Sequence, residues 1–116
     1  DRRGKNLVSL KATCRAANGV PLDVQAMGNG SSGAFYVYSF DNLAIPEPRN
    51  VPADRAIPSA TVALPGFHNG AYTLEYWDTV AGQVIATKPC QVTNGLILAE
   101  TPAFAADLAC KIRPAE

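Results

Sequence analysis

The residues best placed to meet a ligand are aromatic, and they cluster in two short runs. In Tyr72-Thr73-Leu74-Glu75-Tyr76-Trp77, an extended backbone sends Tyr72, Leu74 and Tyr76 to one face and Thr73, Glu75 and Trp77 to the other. The first set reads as core, which leaves Trp77 outward. In Phe35-Tyr36-Val37-Tyr38-Ser39-Phe40, Phe35 and Val37 mark the inner face and Tyr36, Tyr38 and Phe40 the opposite one. If the two strands are sheet neighbours, Trp77 lies beside Tyr36 or Tyr38 and the rings form a flat apolar strip. Such a strip matches the C–H face of a β-linked pyranose, whose equatorial hydroxyls are left for polar side chains at the rim. Glu75, Asp78, Gln83, Asp41 and Asn42 are the candidate rim residues. The competing reading packs the same rings beneath a loop or against another domain.

Other chemistries find less support. A carboxylate pair about 5–9 Å apart can hydrolyse a glycosidic bond, but Asp23, Asp41, Glu47, Asp54, Glu75, Asp78, Glu100 and Asp107 are scattered and read as solvated groups. Asp107, just before the closing strand, reads as a turn or capping residue. His68 is the single histidine; it sits in the turn Gly66-Phe67-His68-Asn69-Gly70 with no GxSxG elbow to serve, so no catalytic centre is expected. Cys14, Cys90 and Cys110 form no CxxC pair, which argues against zinc. They stand at alternating apolar positions, and buried thiols and one disulfide remain equal alternatives. No cofactor is expected, and a structural calcium held by main-chain carbonyls is left open.

The elements that must position these residues are strands. Runs rich in Val, Ile, Leu, Thr and Tyr recur between turn signals, with no sustained 3.6-residue period. Strands are expected over residues 7–14, 22–27, 34–40, 60–64, 72–77, 83–93, 96–100 and 107–113. Asn18-Gly19, Gly28-Asn29-Gly30, Asn69-Gly70 and Asn94-Gly95 mark tight turns, the last reading as a hairpin. The segment from 45 to 58, with Pro46, Pro48, Pro52 and Pro58, reads as a surface crossover, since each proline removes a ladder donor. The expected architecture is a single all-β domain over residues 1–116, a Greek-key sandwich of about seven to eight strands.

Composition narrows the partner. Ten basic residues balance ten acidic ones, so no net field draws in a polyanion and nucleic acid is not expected. No apolar stretch approaches the ~20 residues of a membrane span. The chain opens on Asp1-Arg2-Arg3-Gly4-Lys5 rather than on a signal peptide, as a fragment or a processed chain would.

The run Leu64-Pro65-Gly66-Phe67-His68-Asn69-Gly70-Ala71-Tyr72-Thr73-Leu74-Glu75-Tyr76-Trp77-Asp78-Thr79-Val80-Ala81-Gly82-Gln83-Val84-Ile85 resembles the immunoglobulin-like β-sandwich accessory and carbohydrate-binding modules attached to secreted glycoside hydrolases of the endoglucanase type. Asn94-Gly95-Leu96-Ile97-Leu98, Pro102-Ala103-Phe104 and residues 107–113 are similar to the closing strands of those modules, and Tyr36-Val37-Tyr38 with Asp41-Asn42 to an early one. The resemblance covers roughly residues 34–113. It departs at Tyr36, where the modules often carry Trp, and in the long proline-rich segment. It implies a secreted domain without catalysis that grips a β-glucan (cellulose, xyloglucan or a mixed-linkage chain) for an attached catalytic domain, or a scaffold that packs on that domain and binds no sugar.

Overall fold

A computed structural model describes residues 7–44, 51–52, 54–79 and 81–115. Among them are nine strands: β1 (Val8–Ser9), β2 (Thr13–Ala16), β3 (Asp23–Gly28), β4 (Gly33–Tyr38), β5 (Ala60–Pro65), β6 (Gly70–Asp78), β7 (Gln83–Val92), β8 (Leu96–Glu100) and β9 (Asp107–Pro114). A four-residue helix, α1 (Phe40–Leu43), follows β4. The strands form two antiparallel sheets, one of six in the order β1-β3-β4-β9-β6-β7 and one of three in the order β2-β5-β8. The domain is thus all-β, built of two packed sheets.

Alternation decides what lies between the sheets. The larger sheet sends in Phe35 and Val37 from β4, Tyr72, Leu74 and Tyr76 from β6, and Leu108, Cys110 and Ile112 from β9, while the smaller contributes Val62, Leu64, Ile97 and Ala99; all are buried. Phe67 closes one end of this core, and its ring leaves no room for side chains on the adjacent hairpin. A Cβ on Gly33 would stand 2.9 Å from Phe67 Cζ and 2.6 Å from the Met27 carbonyl oxygen. Ile57 and Phe104 close the other end through a two-residue bridge, both amides donating to the opposite carbonyl at 2.9 Å.

Every expected strand run falls on a strand, and three features of the connections differ from expectation. The run 7–14 is split: β1 pairs with β3 in the larger sheet and β2 with β5 in the smaller. The strand expected to reach Phe40 ends at Tyr38, because Ser39 takes an N-cap conformation and its hydroxyl accepts the Asn42 amide at 3.2 Å. Asn94-Gly95 makes a turn but not a hairpin, since β7 and β8 belong to different sheets; Gly95, at φ 72°, lets the chain pass from one sheet to the other. The three thiols are free, Cys110 buried and Cys14 and Cys90 half-buried, and burial pushes the ionisation of each upward. The chain crosses from the larger sheet to the smaller between β4 and β5, as the proline-rich segment suggested, although residues 45–50 and 53 of that segment lie outside the described residues. No helix among the described residues is long and apolar enough to cross a membrane.

Candidate functional site

The outer face of the six-stranded sheet carries the site. Trp77 on β6 and Tyr36 on β4 both register with Ala109 of the intervening β9. The two aromatics therefore stand in one row, about two strand spacings or ~9.6 Å apart at the backbone, with a methyl group between them. The strands are not neighbours, as the sequence suggested, but the rings do share a face. Gln25 of β3 extends the row beyond Tyr36, and Val84 of β7 extends it beyond Trp77. The register slips between Tyr76 and Trp77, where β7 passes over Ile85, so Val84 and Ile85 are both exposed beside Trp77.

Small and large side chains alternate on this face. Ala34, Ala109, Tyr36, Trp77, Lys111 and Met27 are among the residues lining a depression of about 670 Å³. That volume is within the usual range for a site taking a small organic ligand.

Each ring is held by a side chain rather than left loose. The Trp77 indole Nε1 donates to Glu75 Oε1 at 3.0 Å, and Arg113 stands 3.7 Å from the other Glu75 oxygen. The Lys111 ammonium lies 4.8 Å from the centre of the Trp77 ring, within cation–π range. The Tyr36 hydroxyl donates to Asp107 Oδ2 at 2.7 Å, while the Thr79 hydroxyl donates to Asp107 Oδ1 at 2.8 Å. Burial, and then the bond to Asp107, push the Tyr36 phenol up to about 12. Both disfavour the phenolate, so Tyr36 stays a neutral donor across the ordinary pH range. Tyr38 stacks on Tyr36 with centroids 5.2 Å apart and planes 24° apart, which restricts both rings.

Four of the expected site residues, Trp77, Tyr36, Tyr38 and Glu75, meet on this face. Asp78 borders the depression, but its carboxylate accepts the Ala81 amide at 2.9 Å and shapes the β6–β7 turn. Gln83 pairs with Asp78 at the mouth of that turn, outside the depression. Asp41 and Asn42 are not rim residues, because α1 carries them away from the sheet face. Asp41 pairs with Arg55 at 3.3 Å. Asn42 is buried, its Nδ2 donating to the carbonyls of Arg55 at 2.8 Å and Ala105 at 3.0 Å, where it ties the helix to neighbouring loops. Phe40, expected on the aromatic face, lies on the same helix and is 72% exposed.

Sequence reasoning missed Lys111, Asp107, Ala109 and Gln25. The alternation of Asp107, Ala109, Lys111 and Arg113 against buried Leu108, Cys110 and Ile112 gives their shared face. Periodicity carries no sign that β9 inserts between β4 and β6. Asp107 caps no turn here; it accepts two hydroxyls. The Tyr72 hydroxyl ties its strand to neighbouring main chain, lying 2.7 Å from the His68 carbonyl oxygen and 3.2 Å from that of Gly30. His68 itself is exposed in its turn.

No protein-family model matches the chain, and no curated protein matches it.

Proposed function

We propose that the outer face of the six-stranded sheet binds carbohydrate, and that the chain is a non-catalytic, immunoglobulin-like Greek-key module of a secreted polysaccharide-degrading protein. Its ligand is a β-linked glucan such as cellulose, xyloglucan or a mixed-linkage chain, on which it holds an attached glycoside hydrolase. The observation that carries this reading is the pairing of Trp77 and Tyr36 on either side of Ala109 over an open, mostly apolar depression. Covering about 80 Å² of sugar C–H surface with one ring contributes roughly 2 kcal/mol before ordering costs. Two such contacts give an affinity in the micromolar range or weaker. Weak contacts are enough for a tether, because they raise the local concentration of substrate around the attached enzyme.

Affinity electrophoresis through hydroxyethylcellulose or xyloglucan tests the reading. Retardation of the wild-type chain, lost in Trp77→Ala, is the expected result. Unretarded wild type on every glucan, soluble or insoluble, counts against it.

A second reading, a scaffold that packs on a catalytic domain and binds no sugar, draws on the other sheet. The outer face of β8 and β5 presents Leu98, 59% exposed, beside Ala63, and Leu96, 38% exposed, beside Pro65. Aliphatic surface without oriented polar groups suits the seam between two domains better than a sugar. The two readings draw on opposite sides of the molecule.

A further inference from the structure

The turn between β3 and β4 holds a reactive pair of residues that the outer face does not use. A main-chain nitrogen that follows asparagine can attack the asparagine's own side-chain carbonyl, and glycine permits this best because no Cβ hinders the approach. The chain has four Asn-Gly pairs, at 18–19, 29–30, 69–70 and 94–95. Reaction needs an available nitrogen and a polarised carbonyl, and the fold distributes the two unequally.

At three of the pairs the nitrogen is restrained. The Gly19 amide donates to the Ala16 carbonyl at 3.1 Å, and Asn18 is itself tied down by its Nδ2, which donates to the Ala56 carbonyl at 2.8 Å. The Gly95 amide donates to Asn69 Oδ1 at 3.0 Å, so the nitrogen that would attack Asn94 is occupied. Gly70 stands in the ladder of β6 and β7 opposite Val92, and attack on Asn69 would draw it out of that pairing.

Asn29 differs on both counts. Its Oδ1 accepts the Ser32 amide at 2.8 Å, the Ser31 amide at 3.1 Å and the Ser31 hydroxyl at 3.5 Å. These donors polarise the side-chain carbonyl and oppose the negative charge that its oxygen gains during attack, as in an oxyanion hole. Gly30, at φ 97°, turns its carbonyl to the His68 amide at 2.7 Å and the Tyr72 hydroxyl at 3.2 Å, while its own N–H makes no hydrogen bond among the described residues. Asn29 is exposed, so water reaches it.

We propose that Asn29-Gly30 is a self-modification site, at which the folded chain converts asparagine to aspartate and isoaspartate without an enzyme. The Gly30 nitrogen bonds to Asn29 Cγ and gives up its proton; the Cγ–Nδ2 bond breaks, and Nδ2 takes up a proton and leaves as ammonia. The product is a five-membered cyclic imide. Water adds to one of its two carbonyls, which restores the main chain with an aspartate side chain or routes the main chain through Cβ and Cγ as isoaspartate. Either product adds a negative charge to the turn. Isoaspartate also lengthens the main chain by one carbon and shifts the Gly30 carbonyl relative to His68 and Tyr72, on the hairpin whose Met27 and Ala34 line the depression.

Incubation of the whole chain in mildly alkaline buffer, native and in urea, with peptide mapping of all four pairs over time, tests the proposal. In the native chain, aspartate and isoaspartate are expected at Asn29 about tenfold faster than at Asn18, Asn69 or Asn94; in urea the four rates should converge to within a few-fold. Asn69→Ala, which releases the Gly95 amide at an exposed turn, is expected to raise the native rate at Asn94 several-fold and leave that at Asn29 unchanged. A native Asn29 that reacts no faster than the other three, or whose reaction urea accelerates as much as theirs, overturns the proposal.

Discussion

The two faces of the six-stranded sheet both carry aromatic rings, and they anchor them differently. On the inner face, the Tyr72 and Tyr76 hydroxyls donate to main-chain carbonyls, those of His68 and Gly30 for the first and of Glu100, 3.1 Å away on β8, for the second. Tyr76 thereby links the two sheets, and it is fully buried. On the outer face, one residue further along β6, Trp77 donates to the carboxylate of Glu75, and across the sheet Tyr36 donates to that of Asp107. Those rings are half-buried, with open space beside them. A ring locked to the backbone inside a packed core serves stability. A ring oriented by a side chain on an open face is pre-ordered at small cost, which spares a ligand the entropy of ordering it.

Substitutions along β6 should separate the two roles. Tyr76→Ala is expected to have the largest effect, a loss of about 3–5 kcal/mol of stability from the cavity it leaves. Tyr76→Phe should cost about 1 kcal/mol, since the Glu100 carbonyl keeps the Lys88 ammonium at 3.0 Å. Urea denaturation reads both, and Tyr76→Phe should still be retarded by glucan. Trp77→Ala is expected to do the reverse: a loss of roughly 2 kcal/mol of binding, about thirtyfold in affinity, with less than about 1 kcal/mol of stability. If Trp77→Ala unfolds the chain as readily as Tyr76→Ala, the contrast between the faces fails.

Asp107→Asn acts more gently, on the orientation of Tyr36. A spectrophotometric titration should place the Tyr36 phenol near 12 in the wild type and lower in the variant, with a several-fold weaker hold on glucan. The sign for stability follows by linkage. A phenol at about 12 in the folded state against 10.0 ordinarily contributes stability that is fully present below pH 10.0 and is lost as the pH rises toward 12. Burial pushes Tyr72 and Tyr76 the same way, so alkaline unfolding should begin above pH 10.0. A stability that rises over that window contradicts the assignment.

Leu98→Asp, on the smaller sheet, is expected to have the least effect on the isolated chain, within about 0.5 kcal/mol of stability and with no change in glucan retardation. Weakened cohesion with an attached catalytic domain, read by limited proteolysis of the joined protein, would assign the aliphatic face to the seam between them.

Much of this contrast is legible in the sequence because strand periodicity is a local property. Alternation alone separates Tyr72 and Tyr76 from Trp77, and Phe35 and Val37 from Tyr36 and Tyr38. Where it fails, a different local rule or a long-range pairing has intervened. At Ser39 the apolar alternation runs on to Phe40, but a serine followed by Asp41 is also a helix-start signal, and the hydroxyl–amide cap prevails. Asp41 and Asn42 read as polar neighbours on the aromatic face; the cap turns them away. The insertion of β9 between β4 and β6 joins residues far apart in the chain, and no pattern within either strand encodes it. Lys111 and Ala109 therefore carry no sequence signal of a place beside Trp77 and Tyr36, and Asp107 reads as a turn residue, although the outward direction of all three is readable.

Trp77 is the single tryptophan of the chain, so its fluorescence reports on the outer face alone. Titration with cellohexaose should change the emission saturably and shield the indole from a soluble quencher, and the Tyr76→Phe variant should behave the same way. Emission and quenching that stay constant up to millimolar oligosaccharide, or an indole already inaccessible to the quencher without ligand, would contradict an open aromatic face built to meet sugar.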